Sequence, residues 1–254
     1  MAGFNPYFSV AKRVLRLRKK PILASRLGAN WKLYPSDWID NRMLIGRPFE
    51  QEQLKFAQEC IDKNGLTVFY DCGANIGLYS VLLGMRAHSL TAIHAFEPVA
   101  KTWSRLCKNL DLNHLLDKAT THNYGLGTKS EKLTIAFDKK SSGTATLDTD
   151  EKNNPRRDFA DRQQVQIHRF DDQFDMSGTS AFMKLDMEGH EAEALMGMEN
   201  MLANNDCFLQ IELWDKNREQ VKNWLALRGY SVFHEIHHDI YFKRIVTKRP
   251  TAPI

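Results

Sequence analysis

Carboxylates close four of the apolar, β-prone runs of this 254-residue sequence. Asp71 follows Thr67–Tyr70, Glu97 follows Thr91–Phe96, Asp186 and Glu188 follow Ala181–Leu185, and Glu212 stands near the end of Cys207–Leu213. An acid at a strand end can accept hydroxyls, hold a cationic group, or take a proton from a poor nucleophile. Asp71 leads directly into Cys72-Gly73-Ala74-Asn75-Ile76-Gly77, and an apolar helix pattern follows over 76–87. Strand, glycine turn and helix form the opening unit of a doubly wound α/β domain, with its ligand crevice at the strand's carboxyl end. The spacing is Gly-x-x-x-Gly, whereas a dinucleotide pyrophosphate asks for Gly-x-Gly-x-x-Gly. An acid directly before the turn suits a ligand carrying positive charge. S-adenosylmethionine, with its ammonium and sulfonium, is such a ligand.

Asp71 and the backbone N–H groups from Gly73 through Asn75 to Gly77 are expected to hold the methionine end of that cofactor. Glu97 lies 20 residues past Gly77, followed by Pro98, and is expected to accept both ribose hydroxyls. Its blander role is that of a helix N-terminal acid complementing the dipole. Asn123, closing the third strand, is expected near the adenine, although Asn is equally a turn residue. Asp186, Glu188 and His190 end a strand facing the crevice, beyond which a transferable methyl would point. One of them is expected to act as base or to orient the acceptor, with the acids preferred over the histidine, and Asp186 also joins the cofactor contacts. Their blander role is capping of first-turn N–H groups. Glu212 and Trp214, beside the same crevice, are expected on the substrate side, the indole stacking on a sugar face. No metal is required by this chemistry.

The elements that position these residues follow in order. A helix over 50–63 stops at Asn64-Gly65 and precedes the first strand. Pro98 suits the first turn of the next helix, which places Val99, Trp103, Leu106 and Leu110 on one face. A third strand over 120–124 runs into a Gly125-Leu126-Gly127 turn. Strand-like runs at 131–137 and 165–170 then flank a long polar loop. Alternation resumes with the strand before Asp186, a helix through Leu195, Met198 and Leu202, the strand before Glu212, and a helix capped by Asp215 and stopped at Gly229. Tyr230–Phe233 and Ile240–Phe242 close the chain as a hairpin. His234-Glu235-Ile236-His237-His238 satisfies His-Glu-x-x-His literally, yet it falls at a hairpin tip, where the two histidines cannot share a helix face.

Composition is ordinary for a globular chain, 43% hydrophobic and 26% charged, with a net charge of only +4. Cys60, Cys72, Cys107 and Cys207 are far apart, which argues for reduced thiols and a cytoplasmic setting. No apolar run approaches the ~20 residues of a membrane span. Residues 7–20 read as a basic amphipathic helix. Its sharper reading is weak attachment to an anionic membrane surface, and the favoured one is an apolar stripe packed on the body. The organisation expected is a basic helix and cap over 1–48, one catalytic domain over 49–246, and a tail over 247–254.

Three stretches together resemble the FkbM family of S-adenosylmethionine-dependent methyltransferases: Asp71-Cys72-Gly73-Ala74-Asn75-Ile76-Gly77, Phe96-Glu97-Pro98, and Lys184-Leu185-Asp186-Met187-Glu188-Gly189-His190-Glu191. The third is the most specific, and the resemblance covers about residues 50–245. It implies a class I, Rossmann-like α/β fold: a seven-stranded, mostly parallel sheet with a C-terminal antiparallel hairpin and helices on both faces. It also implies methylation of a hydroxyl, often on a sugar. His190 stands where members commonly carry a small residue, which points to a difference on the substrate side. The partner expected is a small-molecule or glycan acceptor and no nucleic acid. The competing classes are a nicotinamide-dependent oxidoreductase, disfavoured by the glycine spacing, and a catalytically silent cofactor-binding module.

Overall fold

The structure is a computed structural model that describes residues 14–137, 145–146 and 161–244. Half of the basic segment 7–20, most of the polar loop and the tail therefore lie outside the described residues. Val14 and Leu17, at the end of that segment, are exposed.

Residues 22–48 show only mixed aromatic and polar signals in sequence, and they fold into a hairpin and a short helix. The hairpin is β1 (Ile22–Arg26) with β2 (Ala29–Leu33), and Ala29, Trp31 and Leu33 alternate inward. The side-chain carbonyls of Asn113 and Asn109 accept the backbone N–H groups of Asn30 and Lys32, at 2.8 and 2.9 Å, which fastens the hairpin to the body. Helix α1 (Trp38–Leu44) is capped by Asp37, whose carboxylate accepts the Ile39 and Asp40 N–H groups. Helix α2 (Gln51–Asn64) stops at Gly65 in the left-handed region. The alternating body follows: β3 (Val68–Cys72), α3 (Leu78–Arg86), β4 (Ala92–Phe96), α4 (Ala100–Leu112) and β5 (Ala119–His122). Next come β6 (Gly125–Gly127), β7 (Glu131–Phe137), β8 (Ala145–Thr146), β9 (Asp161–Arg169) and the single turn α5 (Phe170–Gln173). The chain then runs through β10 (Ser180–Leu185), α6 (Glu191–Met196), α7 (Glu199–Asn204), β11 (Asp206–Glu212), α8 (Asp215–Ala226), β12 (Tyr230–Ile236) and β13 (Asp239–Arg244).

Seven strands form the main sheet in the order β12-β13-β11-β10-β3-β4-β5, parallel except that β13 runs against both its neighbours. All five residues of β3 are buried, as a central parallel strand covered on both faces requires. Alternate residues feed two cores. Phe69, Ile93 and Phe182 pack with Leu54, Ile61, Val81, Leu82 and Leu106 of α2, α3 and α4. Tyr70, Met183 and Leu209 pack with Leu195, Leu202, Val221 and Leu225 of α6, α7 and α8. No helix among the described residues is long and apolar enough to cross a membrane.

Several local expectations are corrected. Gly125-Leu126-Gly127 is a strand, β6, parallel to β9 in a second sheet ordered β6-β9-β7-β8. Its glycines serve close approach: a Cβ at Gly125 or Gly127 would come within 2.7 or 2.8 Å of Ile167. The helix expected through Leu195, Met198 and Leu202 is two short helices broken at Gly197. There the chain passes so close to β6 that a Cβ would meet the Gly127 carbonyl oxygen at 2.1 Å. Pro98 precedes α4 instead of opening it, and the cap position of α8 is Trp214, with Asp215 the first helical residue. The third strand ends at His122, two residues early. His234 and Glu235 lie on β12 and His237-His238 in the hairpin turn, so the His-Glu-x-x-His spacing has no helix under it.

Candidate active site

The carboxyl ends of β3, β4, β10 and β11 open into one cavity of about 750 Å³, within the usual size of a small-molecule site. Asp71, Gly73, Asn75, Glu97, Pro98, Asp186, Glu188, His190, Glu212 and Trp214 all contribute to its walls. The residues singled out from sequence therefore converge, except two. Gly77 lies behind the lining as the left-handed cap of α3, where a Cβ would meet Leu106 at 2.7 Å. Asn123 also stands behind the wall, its amide donating to the carbonyls of Glu97 and Pro98 at 2.9 and 3.2 Å. It braces the strand-end turn.

The glycine loop is wired internally. The Gly73 and Ala74 N–H groups donate to the Phe96 carbonyl, the Gly77 N–H to the Ala74 carbonyl, and the Asn75 N–H to Glu97 Oε2 at 3.1 Å. The N–H groups of Gly73, Ala74, Asn75 and Gly77 are thus engaged within the fold. Asp71 is likewise committed: Oδ2 accepts the Ser80 N–H at 3.1 Å and the Ser80 hydroxyl at 2.5 Å. What the loop offers instead is acceptors. Asn75, at φ 51°, leaves its Oδ1 buried without a hydrogen-bond partner beside the cavity. Each oxygen of Glu97 takes a single backbone donor, from Asn75 or Val99, and so retains accepting capacity.

Burial pushes the Glu97 carboxyl up to about 7, against the pull of those two N–H groups. An acid raised in the folded chain contributes stability that is complete at low pH and lost as pH climbs through the folded value. Against Glu97→Gln, which mimics the neutral acid, the parent should lose on the order of 3 kcal/mol between pH 4.5 and about 7 and no more above it. Urea unfolding of both chains across that range measures the gap, and a constant difference would refute the ionisation behind it.

The β10 end is a charge cluster. Lys184, almost fully buried, donates to Asp186 Oδ2 at 2.7 Å and lies over the Tyr79 ring. Burial alone would raise Asp186, but Lys184 and a hydrogen bond from Glu212 hold it below the usual range. Glu212, pushed up to about 9 by burial and by Asp186, keeps its proton and is the donor of that bond. Glu188 occupies the left-handed region at φ 53° and Gly189 at φ 98°, and the turn is pinned by Glu191, whose Oε1 accepts the Met187 and Gly189 N–H groups. His190 caps α6 with Nδ1 3.5 Å from Glu193 Oε2, and burial lowers its affinity for a proton. Trp214 is exposed at the rim and stacks on His238 with centroids 3.8 Å apart.

The sequence leaves Trp38 between a cap and part of a substrate pocket, and the rest of this part of the wall goes unread. Trp38, Ile39, Phe49 and Glu50 come from the cap and its junction with α2, and Tyr79 and Lys184 complete the floor. A lysine inside the apolar run Ala181–Leu185 was a legible signal for the last. Glu50 gave none, because an acid before a helix reads as solvated.

A sheet of order β12-β13-β11-β10-β3-β4-β5 with acids at its strand ends is the architecture of a class I, Rossmann-like methyltransferase. Residues 71–243 match the family described as Methyltransferase FkbM domain, and the chain belongs to that family. It is 25% identical over 181 residues to Methyltransferase 1 of Beauveria bassiana, covering 64% of this chain and 71% of that protein. A crystal structure of Methyltransferase FkbM from Methylobacillus flagellatus superposes with a TM-score of 0.50 at 15% identity, over 93% of this chain and 59% of that one. This chain thus spans less than two thirds of that protein. A solved structure from Pyrococcus horikoshii shares the fold with a TM-score of 0.54 at 11% identity, over 89% of this chain and 72% of the other.

Proposed function

We propose that the chain is an S-adenosylmethionine-dependent O-methyltransferase acting on a hydroxyl of a sugar, a glycan or a similar small polar acceptor. The observation that carries this reading is the surplus of carboxylates in the cavity. Glu50, Asp71, Glu97, Asp186 and Glu188 line it together with the protonated Glu212, against the buried Lys184 and the exposed Lys216, so the site favours a ligand that brings positive charge and disfavours phosphates. Membership in the methyltransferase family supports the same cofactor. The residues fit it: Glu97 has capacity for two ribose hydroxyls, and the orphaned Asn75 Oδ1 awaits a donor beside it.

When bound, the cofactor supplies a methyl group on a cationic sulfur. The chain would contribute alignment of the acceptor oxygen with that methyl, exclusion of water by Trp38, Phe49 and Trp214, and a base for the hydroxyl proton. Glu97→Ala is expected to weaken S-adenosylhomocysteine binding by about 1.5–3 kcal/mol, the range for hydrogen bonds to a charged group. Calorimetry against S-adenosylhomocysteine and NAD tests the reading directly. Binding of NAD alone would replace it with the oxidoreductase.

A further inference from the structure

Glu50 is supplied by the junction between the cap and α2, outside the matched family region of 71–243. Its backbone is held in the left-handed region at φ 50°, a conformation that costs a non-glycine residue on the order of 1 kcal/mol or more. That conformation persists where the side chain lines the cavity. A polar row crosses the sheet beneath it, since Asp71, Lys184, Gln210 and Tyr241 are successive register partners on β3, β10, β11 and β13. Glu212 and Asp239 are paired two positions further along. Gln210 Nε2 donates to the Tyr79 hydroxyl at 3.0 Å, and Tyr79 and Glu50 line the same cavity.

The lateral position says what Glu50 faces. Glu97 ends β4 and Asp186 ends β10, two strands apart, or roughly 10 Å at the usual strand spacing. That is a nucleoside-to-methyl separation. The charged and titratable groups around Glu50 are Lys184 and Asp186 on β10, Asp239 on β13 and Tyr79 on α3, all on the side away from Glu97. Resting on the cofactor reading above, we propose that Glu50 faces the transferable methyl from the cap side and takes the acceptor's proton. The acceptor oxygen forms its bond to the methyl carbon, the carbon–sulfur bond breaks with its electron pair going to sulfur, and the hydroxyl proton passes to the Glu50 carboxylate and then to solvent.

Two acids of the β10–β11 cluster, Asp186 and Glu212, are poorly suited to this step. Asp186 is held low by Lys184 and Glu212, so it is a weak base, and Glu212 already carries a proton at neutral pH. Burial brings Glu50 up to about 7, matched to accept a proton near neutrality. This places the base on a residue that the strand-end motif does not contain.

The test needs no acceptor. Sinefungin carries an amine where the cofactor carries its methyl-bearing sulfur, and S-adenosylhomocysteine carries neither charge nor methyl there. The ratio of their affinities, measured by calorimetry from pH 5.5 to 8.5, reads negative charge at the methyl position. The expected result is a preference for sinefungin that grows through about pH 7 and falls about tenfold in Glu50→Gln, with S-adenosylhomocysteine affinity unchanged. Retained S-adenosylhomocysteine binding also shows that the variant is folded. Should it misfold, the pH dependence in the parent chain, and its persistence in Asp186→Asn, decide the question. A preference that is flat with pH, or equal losses of both ligands in Glu50→Gln, would overturn the assignment. Failure of both ligands to bind the parent chain would instead overturn the cofactor reading.

Discussion

Gly73→Ala is expected to destabilise the chain by at least about 3 kcal/mol, more than any other single methyl added to the glycine loop. Two costs combine. Gly73 sits at φ 88°, where an L side chain is strained, and its new Cβ would lie 1.9 Å from the Asp186 carbonyl oxygen and 2.9 Å from the carbonyl carbon. Neither atom can yield, because the Asp186 N–H is bonded to the Cys72 carbonyl at 3.0 Å and holds the ends of β3 and β10 together. Relief requires parting those strands, which form the floor of the site. Gly65→Ala is the control. Gly65 is also left-handed, at φ 61°, but open space surrounds it, so only the backbone strain of about 1 kcal/mol remains. Denaturant midpoints of the two variants measure the difference, and equal losses would show that the contact with Asp186 does not matter.

Lys184→Met should cost about 3–5 kcal/mol at pH 8. Methionine fills the space of the lysine stem, so the loss is that of a buried ammonium 2.7 Å from Asp186 and facing Glu50 and Asp71. Burial opposes the charge on Lys184, but those three acids raise its hold on the proton well above the ordinary value. Asp186, conversely, is held low, so its contribution is present above the ordinary carboxylate range and lost as pH falls through the lowered value. In the variant the acids can protonate, and the penalty shrinks toward acid pH. Unfolding at pH 8 and pH 5 tests both the size and the direction. Parental stability at pH 8 would mean that the carboxylates do not depend on this cation. Adding Asp186→Asn to Lys184→Met should restore part of the loss, because it removes the charge left behind.

The amino-acid sequence by itself determined the alternation of strands and helices over 66–122 and again over 180–213, because buried parallel strands and amphipathic helices differ in apolar period. It also determined which ends of the strands carry acids. Asp71, Glu97, Asp186 and Glu212 were legible because a carboxylate closing an apolar run has no reason in the core. The tertiary structure alone decided how those acids are used. The glycine-loop N–H groups looked available in sequence, yet they are consumed by Phe96, Ala74 and Glu97, partners brought in from the neighbouring strand or across the turn. Gly125 and Gly127 read as a turn because glycine signals conformational freedom and close approach alike, and only the position of Ile167 distinguishes the two. Glu50 lies 134 residues from Lys184 along the chain, and nothing in its local pattern marks it. Its meeting with Lys184, Tyr79 and Asp239 is set by α2 and α3 packing on one face of the sheet. That juxtaposition is long-range, so no window of sequence contains it.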